Sequence, residues 1–258
     1  MRWTEPVARV DERRRLAVTQ ITGCPILATY LFLWLGWGTI LCNPAPSLAQ
    51  APQPPHYTVV LDAAHGGDDT GGHSGNWAEK DTTLALSVRL RSLLAARGIA
   101  VVTTREANTN IDPVHRDELA NHANAQACIS LHASLSGTGV HLFTSSLPPA
   151  QPARIQPWRT AQAPFIDRSL SLAGVLNSAL QHAGLHVILG RTSMPVIDSM
   201  ACPAIAIEMS PEGVPGGSDH TAVDSLNDAD YQARVAEAIA AAIVEWRSPA
   251  SGTGAQQP

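Results

Sequence analysis

The chain has 258 residues, 45% hydrophobic and 15% charged, with a formal net charge of -5. That balance leaves no polybasic footprint, so nucleic acid is excluded as an expected partner. Setting the two ends aside leaves about 190 residues, enough for one domain with a proper core, and four cysteines make no disulfide framework at this length.

Residues 1–20 are polar and mixed in charge, with Arg13, Arg14 and Arg15 together. Ile21 to Leu41 is apolar without one charged residue, and Ser47-Leu48-Ala49 follows. Basic residues, an apolar run and a small-residue site have the form of an export signal cut near Ala49. The apolar run is also long enough to span a bilayer, so residues 1–49 are an export signal or, alternatively, a membrane anchor with lipid contact through residues 21–41. The arginines loosely resemble a twin-arginine signal, but an ordinary charged n-region accounts for them. Either way the body is expected in the periplasm or cell envelope. Residues 50–56, rich in Pro, Ala and Gln, read as a linker.

The body alternates strand and helix. Tyr57–Leu61 reads as a strand that runs on to His65-Gly66-Gly67 in a glycine-rich loop. Lys80–Arg97 carries leucines at helical spacing, with Gly98 closing it and Glu79 at its start. Ile99–Thr104 is a second strand. Asp112-Pro113 opens a helix running to about Asn124. Ala127–Leu131 is a strand ending at His132, and Gly139–Thr144 another. Ser146–Pro164 is Pro-rich and irregular. Phe165–Ala183 is helical, Val187–Leu189 and Pro195–Ile197 are short strand candidates, and Pro203–Ile207 is a strand ending at Glu208. Asn227–Trp246 is a C-terminal helix, and residues 248–258 read as a disordered tail. The pattern is α/β, a single domain with a largely parallel or mixed central sheet flanked by helices.

His65, His132 and Glu208 thus stand at the ends of apolar strands, and Glu79 at a helix start. Ligands in open α/β sheets bind outside the carboxyl ends of strands. Two histidines, a carboxylate and an open fourth position make a catalytic zinc set. His65, Glu79 and His132 are therefore expected to hold one Zn2+, with Glu208 left as the base.

Six pieces carry a resemblance: Leu61-Asp62-Ala63-Ala64-His65-Gly66-Gly67, Glu79-Lys80-Asp81, Thr104-Arg105, Arg116-Asp117-Glu118-Leu119-Ala120-Asn121, Ser130-Leu131-His132-Ala133 and Pro203-Ala204-Ile205-Ala206-Ile207-Glu208. In this order, the chain resembles the zinc-dependent N-acetylmuramoyl-L-alanine amidases of the cell-wall hydrolase type, over about residues 57 to 246. The resemblance implies a catalytic domain over 57–247, peptidoglycan as substrate, cleavage of the amide between the lactyl group of muramic acid and L-alanine, and Glu208 as the catalytic carboxylate. Ala63-Ala64 stands where the family usually has Pro-Gly, Ser134 where it usually has Asn, and Met209-Ser210-Pro211-Glu212 where Gly-Phe usually follows the glutamate. A peptidoglycan-binding homologue with weak activity and an exported zinc peptidase on another amide are the alternative readings.

Some amidases of this family carry an insertion whose helix blocks the zinc with a carboxylate. Ser145–Pro164, in the equivalent place, has five prolines and no Asp or Glu, so an open site is expected that needs no displacing partner. Glu212–Asp219 is the other segment that could cover the site. His56, His73, His115, His122, His141, His182, His186 and His220 read as surface or loop residues, with substrate contact the alternative for His73. Asp81 and Arg105 read as supports of the fold. Cys128 and Cys202 read as buried small hydrophobes, a disulfide between them being the alternative an oxidising compartment permits. Trp77 and Trp158 read as loop packing.

Overall fold

The computed structural model describes residues 57–213 and 219–248. The signal or anchor, the linker and almost all of the tail expected from the sequence lie outside the described residues, as does most of Glu212–Asp219. Among the described residues no helix is long and apolar enough to cross a membrane.

Four parallel strands form the left part of a six-stranded sheet: β1 (Thr58–Ala63), β4 (Ala100–Thr103), β5 (Ala127–Ala133) and β8 (Ala204–Met209). With β6 (Val140–Ser145) and β7 (Val187–Thr192), the full order is β4-β1-β5-β8-β6-β7. Strand β6 runs antiparallel to β8, and β7 runs parallel to β6. The sheet is therefore mixed. A two-stranded hairpin, β2 (His73–Ser74) and β3 (Trp77–Ala78), stands in the loop after β1.

The pleat sends alternate residues to opposite faces. Val59, Leu61, Ile129, Leu131, Ile205 and Ile207 join one core with helices α1 (Glu79–Ala96), α3 (Ile166–His182) and α6 (Ala229–Arg247). Each helix offers it a row at fourfold spacing: Leu86, Leu90 and Leu94; Leu172, Leu176 and Leu180; Tyr231, Val235, Ile239 and Ile243. Burying one such leucine contributes about 1.5–3 kcal/mol. Val60, Cys128, Ala204 and Ala206 face the other way, against Ala120 of α2 (Pro113–His122) and Ile197 of α4 (Pro195–Asp198). Asp112 caps α2 by accepting from the His115 N–H.

Two expectations about elements need correction. Pro195–Ile197 is a helical turn rather than a strand, since Pro at its first position favours helix entry and the N–H groups of Asp198 and Ser199 reach back to Met194 and Pro195. The C-terminal helix expected from Asn227 begins two residues later as α6, which Asp228 caps by accepting from the Tyr231 N–H, because Asn227 ends a separate helix before it, α5 (Asp219–Asn227). A third correction concerns Cys128 and Cys202, which form a disulfide. Cys128 lies on β5 in register with Ala204, two residues beyond Cys202, and its N–H donates to the Pro203 carbonyl, which brings Cys202 alongside it. Their sequence distance hides that proximity.

Candidate active site

The site lies at the carboxyl ends of β1, β5 and β8. Strand β1 ends at Ala63, and its next carbonyls need donors that no neighbouring strand supplies. Two guanidinium groups supply them. Arg105 donates to the carbonyls of Ala63, Ala64 and Lys80, and Arg116 to those of Ala63 and His65. Their charge is offset by Asp62, almost wholly buried, which accepts from Arg116 at 2.7 Å and from the hydroxyls of Thr104 and Ser130, each at 2.8 Å. Arg105 thus supports the fold as expected; Asp81 makes no such contact and is exposed. Held this way, His65 takes a left-handed backbone conformation, φ 62°, which few residues other than glycine adopt. The turn throws its ring back over the sheet edge toward α1.

Glu79, at the first position of α1, meets that ring. Its Oε2 lies 3.2 Å from His65 Nε2 and accepts from the Gly72 N–H at 3.0 Å. Its Oε1 lies 3.0 Å from His132 Nδ1 and accepts from the Ala133 N–H at 3.1 Å. The rings of His65 and His132 stand edge to face, 5.7 Å apart. One ligand atom from each of the three residues lies within 4.8 Å of the others. Gly71 wraps this cluster: a Cβ there would fall 2.5 Å from His65 Cδ2 and 2.6 Å from Glu79 Oε2, so only glycine leaves the space clear.

Two carboxylates bear on the imidazoles of the cluster. Burial pushes the Glu79 carboxyl up, but hydrogen bonds from His132, His65 and the Gly72 N–H outweigh it and hold the group well below the usual carboxylate range. His65 is raised, chiefly by its hydrogen bond to Glu79, against burial and with help from Asp69, whose Oδ2 sits 2.8 Å from Nδ1. Both nitrogens of that ring therefore face carboxylates. Asp69 also orients the ring so that Nε2 points to Glu79, as an outer carboxylate does for a metal-bound histidine. Two imidazole nitrogens and a carboxylate, with a second carboxylate behind, are a donor set that suits zinc.

Beside the cluster is a cleft of about 390 Å3, lined by Gly72, His73, Trp77, Glu79, His132, Ser134 and Glu208 among others. The structure thus brings all four sequence-predicted site residues to one rim, with His132 and Glu208 as register partners on adjacent strands. His73 reaches the cleft as well. Trp77 is buried, its indole N–H donating to Thr82, as packing requires. It borders a larger cleft of about 650 Å3 that carries one charged lining residue, Asp81. Trp158, by contrast, is exposed, with the Arg159 guanidinium 4.9 Å from its ring centre, so the expectation of loop packing does not hold for it. Nor is His141 a surface residue: it lies on β6 with Nδ1 3.0 Å from Glu208 Oε1. Knowing that β6 runs antiparallel beside β8 would have found it; the residue's own neighbourhood in sequence gives no signal.

The segment after β6 keeps away from the cleft. Gln162 is buried and donates to the carbonyls of Met200 and Cys202, which ties the segment to the face carrying α4.

Comparison with known proteins bears on the same residues. The sequence model of Amidase_3, described as N-acetylmuramoyl-L-alanine amidase, matches residues 59–245. A germination-specific N-acetylmuramoyl-L-alanine amidase of Bacillus subtilis is 35% identical over 88 residues, 29% of this chain and 37% of the relative. The probable cell wall amidase LytH of Staphylococcus epidermidis is 30% identical over 183 residues, 67% of this chain and 54% of the relative. The catalytic domain of CwlV, an amidase from Bacillus (Paenibacillus) polymyxa, superposes with a TM-score of 0.56 at 26% identity, covering 74% of this chain and 97% of that domain. The chain spans about a quarter to about half of the length of the curated relatives it matches.

Proposed function

Since the chain belongs to the Amidase_3 family of N-acetylmuramoyl-L-alanine amidases, we propose that it hydrolyses the amide between the lactyl group of N-acetylmuramic acid and L-alanine in peptidoglycan, for cell-wall remodelling. The observation that carries this reading is the convergence of His65, Glu79 and His132, with ligand atoms within 4.8 Å of one another, beside a cleft that Glu79, His132 and Glu208 line.

His65, Glu79 and His132 are the residues that would hold one zinc ion. Zinc bound there would supply Lewis acidity toward the amide carbonyl and acidify water. Glu208 takes the proton of the attacking water and returns it to the leaving amine of L-alanine, as a positioned general base and then acid. Its place at the end of β8 favours that role over ligation, because three protein groups already fill the protein's share of an open tetrahedral site. Glu212, the nearest carboxylate in sequence, is paired with Arg234 instead.

The body works outside the cytoplasm in this proposal, exported by residues 1–49 and either released or anchored. The Cys128–Cys202 disulfide supports this, because such bonds persist in oxidising compartments. No displacing partner is needed, since the lining of the cleft includes no residue of Ser145–Pro164.

Purified peptidoglycan incubated with the zinc-loaded protein tests the reading. Free stem peptides beginning with L-alanine, identified by mass, are expected. Binding without release would make the protein a peptidoglycan-binding homologue, and cuts within the stem peptide would make it a peptidase.

A further inference from the structure

The antiparallel pairing of β6 with β8 sets His141 in register opposite Glu208. The side chains meet, Nδ1 of the ring lying 3.0 Å from Glu208 Oε1. The imidazole is largely enclosed, 12% exposed against 30% for the glutamate side chain. Its other nitrogen lies 3.3 Å from the Thr138 carbonyl, and Phe143 packs edge-on with ring centres 6.1 Å apart. The turn after β5 is shaped around the ring. Gly137, at φ +81°, comes so close that a Cβ would fall 2.6 Å from His141 Cε1. A ring held by Phe143 and the Gly137 turn thus presents Nδ1 to one oxygen of a partly buried carboxylate.

A lone glutamate at a strand end has a broad final torsion and samples many orientations. A general base must instead stay within hydrogen-bond reach of the proton it takes. We propose that His141 is a positioning residue: its Nδ1–H donates to Oε1 and holds the Glu208 carboxylate in the orientation from which it exchanges the proton across the cleft. This rests on the reading of Glu208 as the acid–base group. His141 itself neither gains nor loses the transferred proton.

Three variants test it: His141→Phe keeps a ring and removes the donor, His141→Asn keeps a donor near the Nδ1 place, and Glu208→Gln removes the base. Each is assayed on a soluble muramoyl-peptide, with zinc content and thermal unfolding measured on the same sample. His141→Phe is expected to lower kcat about 10–100-fold, the scale of misplacing a reacting group, with KM and zinc content unchanged. His141→Asn should recover most of the loss. In a Glu208→Gln background His141→Phe should cost nothing more, because both act through one group. Zinc-free protein offers a readout without turnover: long-range nitrogen–proton NMR should place a proton on His141 Nδ1.

Unchanged kcat in folded His141→Phe overturns the proposal. So does an asparagine variant no better than phenylalanine, an additive loss in the double variant, or a ring protonated on Nε2 alone. If the phenylalanine variant does not fold, His141→Leu replaces it. If that fails too, a folded asparagine variant as slow as Glu208→Gln overturns the claim, and one near wild type sustains it. Failure of the underlying reading shows separately, as a zinc-loaded Glu208→Gln protein that keeps its rate.

Discussion

Replacing both Cys128 and Cys202 with alanine isolates the contribution of the disulfide. The bond closes a loop with a sequence separation of 74. In the chain-entropy description, a loop of that length restricts the unfolded state by about 4 kcal/mol. A domain of this size has about 5–15 kcal/mol in total, so the loss is a large fraction of it. At roughly 2–4 °C per kcal/mol, the unfolding midpoint should fall by about 8–16 °C. Both sulfurs are buried, at 0% and 2% residue exposure, so reductant should act on the native protein only after it opens. The folded double variant should keep its kcat. The ladder from Cys128–Ala204 to Ala133–Met209 holds β5 against β8 without help from the bond, and His132 and Glu208 lie at its far end. Calorimetry of wild type, wild type with reductant and the double variant measures the effect. A midpoint within about 2 °C of wild type, far below the shift loop closure predicts, would refute the account. A zinc-loaded, folded variant with a greatly reduced kcat would refute the claim that the ladder alone sets the site.

Glu208→Gln should lower turnover by about 10²–10⁴-fold while leaving zinc bound, checked by rate and metal content on one sample. Arg116→Ala leaves Asp62 buried with less compensation and strips donors from the Ala63 and His65 carbonyls; it should cost about 3–5 kcal/mol in chemical denaturation and weaken zinc retention. Asp117 is pushed up to about 7, first by burial and then by the charge of Asp62. Between the unfolded value near 4 and about 7, the folded state keeps a proton that the unfolded chain has lost, so stability falls as pH rises through that window. Asp117→Asn should flatten that fall in denaturation curves at pH 5 and 8, and an unchanged slope would count against it. Removing residues 151–157, which lie inside the loop closed by the Ala150–Ala163 hydrogen bond, should leave peptidoglycan turnover as it was; a rise of an order of magnitude would mark the segment as inhibitory.

The parallel half of the fold was legible because each strand is a short apolar run that stops at a polar residue. Val59 to Leu61, Ala127 to Leu131 and Ala204 to Ile207 all do so, and their ends are where the site stands. The helices α1 and α3 were legible from leucine spacing and from Gly98 and Gly184 just beyond them. What sequence could not supply is neighbourhood. Nothing local to Val140–Ser145 says that it lies antiparallel to β8, so His141 looked like any other histidine. Pairing across 74 positions likewise hid the disulfide. The buried Asp62–Arg116 pair was within reach as a motif, but its purpose, satisfying the carbonyls beneath His65, needs the strand end in three dimensions.

The three departures from the usual family pattern fall in different physical settings, which bears on substrate preference. Ala63 and Ala64 are buried, and their carbonyls accept from Arg105, Arg116 and Thr83. They shape the route to His65 and present no side chain to a substrate. Met209 and Ser210 are fully buried, and Glu212 is turned to Arg234, so the altered stretch after Glu208 faces the core and the surface. Ser134 differs, because it lines the cleft next to His132 and Glu208. Its hydroxyl is 2.8 Å from that of Ser136 and accepts from the Ser136 N–H, which folds the turn leading to Gly137 and the His141 ring. A shorter side chain engaged with its own turn leaves more of the cleft to the substrate than an asparagine would. Of the three departures, the one at Ser134 is therefore the one placed to alter what the site accepts.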